Sequence, residues 1–128
     1  MDGRVLVVED ESMLAMLIED QLVDMGYRVM PPVSTVHAAL AVLEEGGIGL
    51  AVLDVNLGGP LSFPVADALL ARGIPFLFLT GYGRAGVPAE YQTVPVLQKP
   101  FRRKDLQTAL AALGSESISA NISLLGSL

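Results

Sequence analysis

Residues 5–11 read Val-Leu-Val-Val-Glu-Asp-Glu, and this stretch decides the fold. Four aliphatic residues with no polar alternation make a strand covered on both faces, the habit of a central strand in a parallel sheet. The acidic run that ends it, Glu9-Asp10-Glu11, then stands at a strand's carboxyl end. In open sheets of this kind ligands gather at that end.

Further along, short apolar runs alternate with segments of helical period. Strands are expected at 27–30, 50–53, 75–79 and 94–97, which with the first makes five. The runs at 50–53 and 75–79 also lack polar alternation and belong in the centre. Arg28 and Pro95 suit the two remaining runs to edges. Leu14, Leu17, Ile18, Leu22 and Met25 recur at helical spacing before Gly26. Val36, Leu40 and Leu43 mark a second helix, a third runs from about Pro64 to Gly73, and a fourth follows Pro100 and stops at Gly114. Between Gly81 and Thr93 the glycines 81, 83 and 86 and Pro88 leave room for at most a short helical turn near Ala89-Glu90-Tyr91. The expected class is α/β, a doubly wound parallel sheet, as one domain over 1–114 with a serine-rich tail at 115–128 and no output domain.

Composition narrows the chemistry. The 128 residues hold no cysteine and one histidine, so thiolate nucleophiles and sulfur-based zinc sites are excluded and any metal must be held by oxygen. No apolar run approaches the roughly 20 residues that a membrane span needs, and no secretory leader is legible before Val5, so a cytoplasmic protein that does not enter membranes is expected. A net charge of -6 opposes nucleic-acid binding, and Arg102-Arg103-Lys104 is too short a basic run to reverse that.

Right-handed crossovers bring strand ends together. Here those ends carry Glu9 and Asp10, then Asp54, then Thr80, then Lys99. Each pair of crowded carboxylates costs on the order of 1 to 4 kcal/mol at about 4 Å, so something must neutralise them. A hard divalent cation such as Mg2+ suits carboxylates, carbonyls and phosphate oxygens. Asn56, two residues past Asp54, could turn its backbone carbonyl toward such an ion. Lys99 offers a compact charge and Thr80 a hydroxyl for phosphoryl oxygens, so the set suits receipt of a phosphoryl group on a carboxylate.

These residues resemble the receiver domain of bacterial two-component response regulators. The matching motifs are Val-Leu-Val-Val-Glu-Asp-Glu at 5–11, Leu-Asp-Val-Asn-Leu at 53–57, Leu-Thr-Gly at 79–81 and Lys-Pro-Phe at 99–101, and the likeness spans residues 4 to about 113. It implies a flavodoxin-like fold with strand order 2-1-3-4-5. It implies Asp54 as phosphoacceptor, Mg2+ held by Glu9, Asp10, Asp54 and the Asn56 carbonyl, Thr80 as switch hydroxyl, Lys99 as phosphate-contacting lysine and a cis bond before Pro100. The partners so implied are a histidine kinase or histidine phosphotransferase and a downstream protein reached by contact; the domain promotes its own phosphorylation without being an enzyme acting on others. Val96 stands where receivers usually carry an aromatic, Gly58 where proline is common, and the segment after Thr80 is short and glycine-rich. With Phe-Leu-Thr-Gly-Tyr-Gly at 78–83, these departures look like the stand-alone "FAT GUY" receivers of alphaproteobacteria, although Leu79 replaces the alanine of that signature.

Rival readings fit less well. A flavodoxin-like cofactor carrier cradles phosphate after the first strand, where Glu9-Asp10-Glu11 would repel it. A haloacid-dehalogenase-like phosphatase wants a second acid two residues past its nucleophile, and this chain has Asn56. A degenerate receiver serving only as a binding module has no need of the acidic pair, Asp54 and Lys99 together. His37 reads as a solvated helix residue, and Tyr82 and Tyr91 as either packed or partner-facing.

Overall fold

A computed structural model describes residues 3–113 of the chain. The strands are β1 (Arg4–Val8), β2 (Ile48–Asp54), β3 (Phe76–Thr80) and β4 (Val96–Gln98). They form one parallel sheet in the order β1-β2-β3-β4. Helices α1 (Ser12–Asp24), α2 (Val36–Glu45) and α3 (Phe63–Ala71) fill the early crossovers. Residues 103–113 form α4.

The expected count of five strands is corrected to four. The run at 27–30 does lie beside β1, but it is reduced to isolated parallel bridges at Val5–Val29 and Val8–Val33. The Val5 and Glu9 amides donate to the Arg28 and Val33 carbonyls, and Met30 and Val33 donate back to β1. Between those contacts stand Pro31 and Pro32, which have no N–H to offer, so the ladder cannot continue. The edge position anticipated for this run is therefore kept while the strand itself is lost.

Period-two alternation sorts the aliphatic strands onto two helical layers. Val5, Val7, Leu50, Val52, Leu77 and Leu79 pack with Ile18 and Leu22 of α1 and Leu106 and Leu110 of α4. The intervening Leu6, Val8, Ala51, Leu53, Phe76 and Phe78 pack with Leu43 of α2 and Val65 and Leu69 of α3. Each fully buried leucine contributes about 1.5–3 kcal/mol of transfer free energy, which explains why strands without polar residues are tolerated here. Helix α2 starts where the Thr35 hydroxyl accepts from the Ala38 N–H at 3.0 Å, and α3 carries Pro64 in its first turn, where a missing N–H costs nothing.

Between β3 and β4 no α-helix forms. Two 3-10 turns, Gly83–Gly86 and Ala89–Tyr91, take its place, in keeping with the glycine content of that segment. The Lys99–Pro100 bond is cis. Among the described residues no helix is long and apolar enough to cross a membrane. The boundary expected at 114 and the tail at 115–128 lie outside the described residues.

Candidate functional site

The strand ends meet as their positions demand. Asp54 is the last residue of β2 and pairs in register with Leu79, next to Thr80 at the end of β3. Thr80 faces Gln98, and the Lys99 amide donates to the Thr80 carbonyl at 2.8 Å, which seats the lysine beside the other strand ends. Glu9 and Asp10 follow β1, and one carboxylate oxygen from each of Glu9, Asp10 and Asp54 lies within 4.8 Å of the others.

Burial differs among the acids. Glu9 and Asp54 are buried at 2% and 4% exposure, whereas Asp10 is open to solvent. The Lys99 ammonium donates to Asp54 Oδ2 at 2.7 Å and to Glu9 Oε2 at 3.1 Å. The Glu11 amide donates to Glu9 Oε1 at 3.1 Å, and the Asn56 amide to Asp54 Oδ1 at 3.3 Å. Burial, and after it the neighbouring Asp54 carboxylate, pushes Glu9 up to about 7 despite Lys99. For Lys99, burial works to lower the ammonium's pKa, but the hydrogen bond and charge of Asp54, joined by Glu9, hold it above the usual lysine value. One cation thus stands against three carboxylates, and a divalent cation with oxygen preference fits this donor set.

Thr80, 3% exposed, accepts at its hydroxyl from the Tyr82 N–H at 3.0 Å. A cavity of about 150 Å³ opens between Asp54 and Thr80, with Asn56, Leu61, Tyr82 and Gly86 on its walls. That is several times the roughly 30 Å³ of one water, enough for a tetrahedral anion. Asn56 sits exposed at the rim, its side-chain oxygen accepting from the Gly59 N–H at 2.8 Å. Gly58 has φ +76°, and a Cβ there would stand 3.0 Å from Asp10 Oδ2. The absence of proline is thereby explained, since a residue with φ fixed near -65° cannot make this turn.

The model of the response regulator receiver domain matches residues 5–111. The chain belongs to that receiver family. A comparison with the curated proteins gave no match. Among solved structures, this receiver is similar to SdrG from Sphingomonas melonis Fr1, at 49% identity over 87% of this chain and 95% of that one, with a TM-score of 0.78. It is likewise similar to the BeF3-activated conformation of SdrG from Pseudomonas melonis Fr1, at 46% identity over 88% and 98% of the two chains, with a TM-score of 0.76. The anti-anti-sigma factor PhyR from Bartonella quintana shares the fold at 21% identity, over 97% of this receiver and 52% of that chain, with a TM-score of 0.80.

All the site residues expected from sequence therefore lie on one rim, with Asn56 at its edge. Sequence reasoning missed three contributors. They are the Glu11 amide, which reaches back two residues to Glu9, Gly86, which closes against Thr80, and the buried Tyr91, whose placement depends on Phe63 and Asp67 far away in the chain. His37 is exposed, as anticipated.

Proposed function

We propose that this receiver accepts a phosphoryl group on Asp54 from a phosphohistidine of a sensor kinase or histidine phosphotransferase. The observation that carries the proposal is the Asp54 carboxylate 2.7 Å from the Lys99 ammonium, on the wall of a cavity and within 4.8 Å of two further carboxylates. A carboxylate oxygen of Asp54 forms a bond to phosphorus while the phosphorus–nitrogen bond to the donor imidazole breaks, and the electron pair leaves with that nitrogen. Lys99, already at Asp54, faces the equatorial oxygens and offsets their charge. Thr80 gives its hydroxyl to another oxygen once it turns from the Tyr82 amide.

Glu9, Asp10 and Asp54, with the Asn56 carbonyl, would hold Mg2+, which supplies charge neutralisation on the transferring oxygens. That the 46%-identical SdrG has a BeF3-activated conformation supports the same chemistry at Asp54. Signalling then proceeds by protein contact in the cytoplasm, with the Gly81–Thr93 segment reshaped as Thr80 moves toward the phosphoryl oxygens.

Titration with beryllofluoride and Mg2+, followed by amide NMR or hydrogen exchange, tests this reading. Binding by the wild type, changes at Thr80 and through 81–93, and silence in Asp54→Ala are expected. A segment that stays unchanged on binding would contradict the proposed route of the signal.

A further inference from the structure

The segment that follows Thr80 is anchored in a way its glycine-rich sequence does not suggest. Tyr91 is 2% exposed, its ring stacked on Phe63 at 5.3 Å and set edge-on to Phe78 at 5.5 Å. Its phenol donates to Asp67 Oδ1 at 2.6 Å, fastening the segment to the middle of α3. Val96 packs into the same cluster, so the tyrosine supplies the aromatic volume beside β4 that a valine lacks.

From Tyr91 the contacts lead back to the site. The Arg84 guanidinium donates to the carbonyls of Tyr91 at 3.2 Å and Val94 at 2.9 Å, and to that of Gln92. The Tyr91 carbonyl also accepts from the Val94 N–H at 3.0 Å, so the guanidinium adds to that turn and ties its carbonyls to the Gly83–Gly86 turn where no α-helix forms. Arg84 belongs to the turn Gly83–Gly86, and Gly86 closes over Thr80 so tightly that a Cβ there would lie 2.8 Å from the Thr80 hydroxyl. The amide of Tyr82, from the same turn, holds that hydroxyl.

We infer that Tyr91, bonded to Asp67 of α3, is the positioning residue that holds the Thr80 hydroxyl on the Tyr82 amide beneath Gly86, acting through Arg84 and the Gly83–Gly86 turn. The inference rests on the proposed role of Asp54 and Thr80, and it adds the element that opposes the movement of Thr80. For the Thr80 hydroxyl to reach a phosphoryl oxygen, the turn above it must lift, and the bond from Tyr91 to Asp67 resists that lifting. Loosening the bond therefore favours the moved state, and a ligand that needs that state binds more tightly.

The test uses the full chain with Tyr91→Phe, which keeps the ring and removes the phenol, beside Asp67→Ala and Asp67→Asn. In the ligand-free protein, the Thr80 and Gly86 amide resonances should move in Tyr91→Phe and Asp67→Ala. Beryllofluoride with Mg2+ should bind both variants at least threefold more tightly, whereas Asp67→Asn, which retains an acceptor oxygen, should behave as wild type. A lower melting temperature with unmoved Thr80 and Gly86 amides and unchanged affinity would mean that Tyr91 serves only packing, and would overturn the inference. Should Tyr91→Phe fail to fold, Asp67→Ala reads the same bond from its exposed side. A wild type that binds no beryllofluoride would refute the role of Asp54 itself, while the ligand-free amides would still report on the linkage from Tyr91 to Thr80.

Discussion

The Lys99 ammonium stands 2.7 Å from Asp54 Oδ2, and this single cation is shared with Glu9 while Asp10 remains outside its reach among the hydrogen bonds formed by described residues. The site is thus left with more negative than positive charge. Several consequences of that imbalance are open to measurement.

Lys99→Ala should destabilise the metal-free protein. Breaking a buried pair costs about 3–5 kcal/mol when the remaining charge is stranded. The Lys99 side chain retains 24% exposure, which reduces the expected loss to about 1–3 kcal/mol. Chemical denaturation in a metal chelator gives the number, and millimolar Mg2+ should recover part of it. Equal stability of variant and wild type without metal would mean that the ammonium does not balance these acids.

Asp54→Asn should act in the opposite direction. It removes one of three crowded charges and leaves Lys99 to pair with Glu9 alone. The metal-free melting temperature should rise, by an amount corresponding to about 1 kcal/mol. The stabilisation given by Mg2+, about 2.7 kcal/mol at a hundred times its dissociation constant, should shrink in the variant. A lower melting temperature without metal would show that the bond to Lys99 outweighs the repulsion.

Acidity provides an independent handle. Glu9 is pushed from the usual glutamate value of 4.5 to about 7, chiefly by burial and then by Asp54. A group whose folded pKa lies above its unfolded value binds more protons in the native state between the two. Its contribution to stability is therefore complete below about 4.5 and lost as pH rises through about 7. Metal-free melting temperatures should decline across that window, and Mg2+ should flatten the decline by favouring the ionised carboxylates. Glu9→Gln should abolish this part of the pH dependence. A decline of the same size in the Gln variant would assign it elsewhere.

Gly86→Ala should disturb the switch hydroxyl directly. The added methyl would meet the Thr80 hydroxyl at 2.8 Å and the Tyr82 Cβ at 3.3 Å. Overpacking of this kind costs about 1–3 kcal/mol. Thr80→Ala removes the hydroxyl in the way, so the double variant should be more stable than the sum of the two single changes predicts. Strict additivity would show that the turn yields without pressing on Thr80.

Much of this architecture was legible in the sequence because the strands are unusually plain. Val5-Leu6-Val7-Val8 and Leu50-Ala51-Val52-Leu53 have no polar residue to permit one-sided exposure, and both are buried with helices on each face, β2 inside the sheet and β1 at its end beside the bridges from Val29 and Val33. The meeting of Glu9, Asp10, Asp54, Thr80 and Lys99 followed from parallel topology, which fixes where strand ends go. The run at 27–30 reads as a full strand from its β-branched and aromatic residues, but Pro31 and Pro32 just beyond it reduce the pairing to isolated bridges. Tyr82 and Tyr91 could not be told apart by composition; one is 79% exposed and the other buried, and the difference lies in Phe63 and Asp67, more than twenty residues away in the chain. Proximity of that sort has no local signal.

The central claim is that Asp54 is the group that receives phosphorus. Intact-mass measurement after incubation with a small-molecule phosphodonor and Mg2+ tests it most directly. The wild type should gain the mass of one phosphoryl group, in amounts that fall when the metal is chelated, and Asp54→Ala should gain none. Equal labelling of the two proteins, or no labelling of the wild type under conditions where Mg2+ stabilises it, would contradict the account.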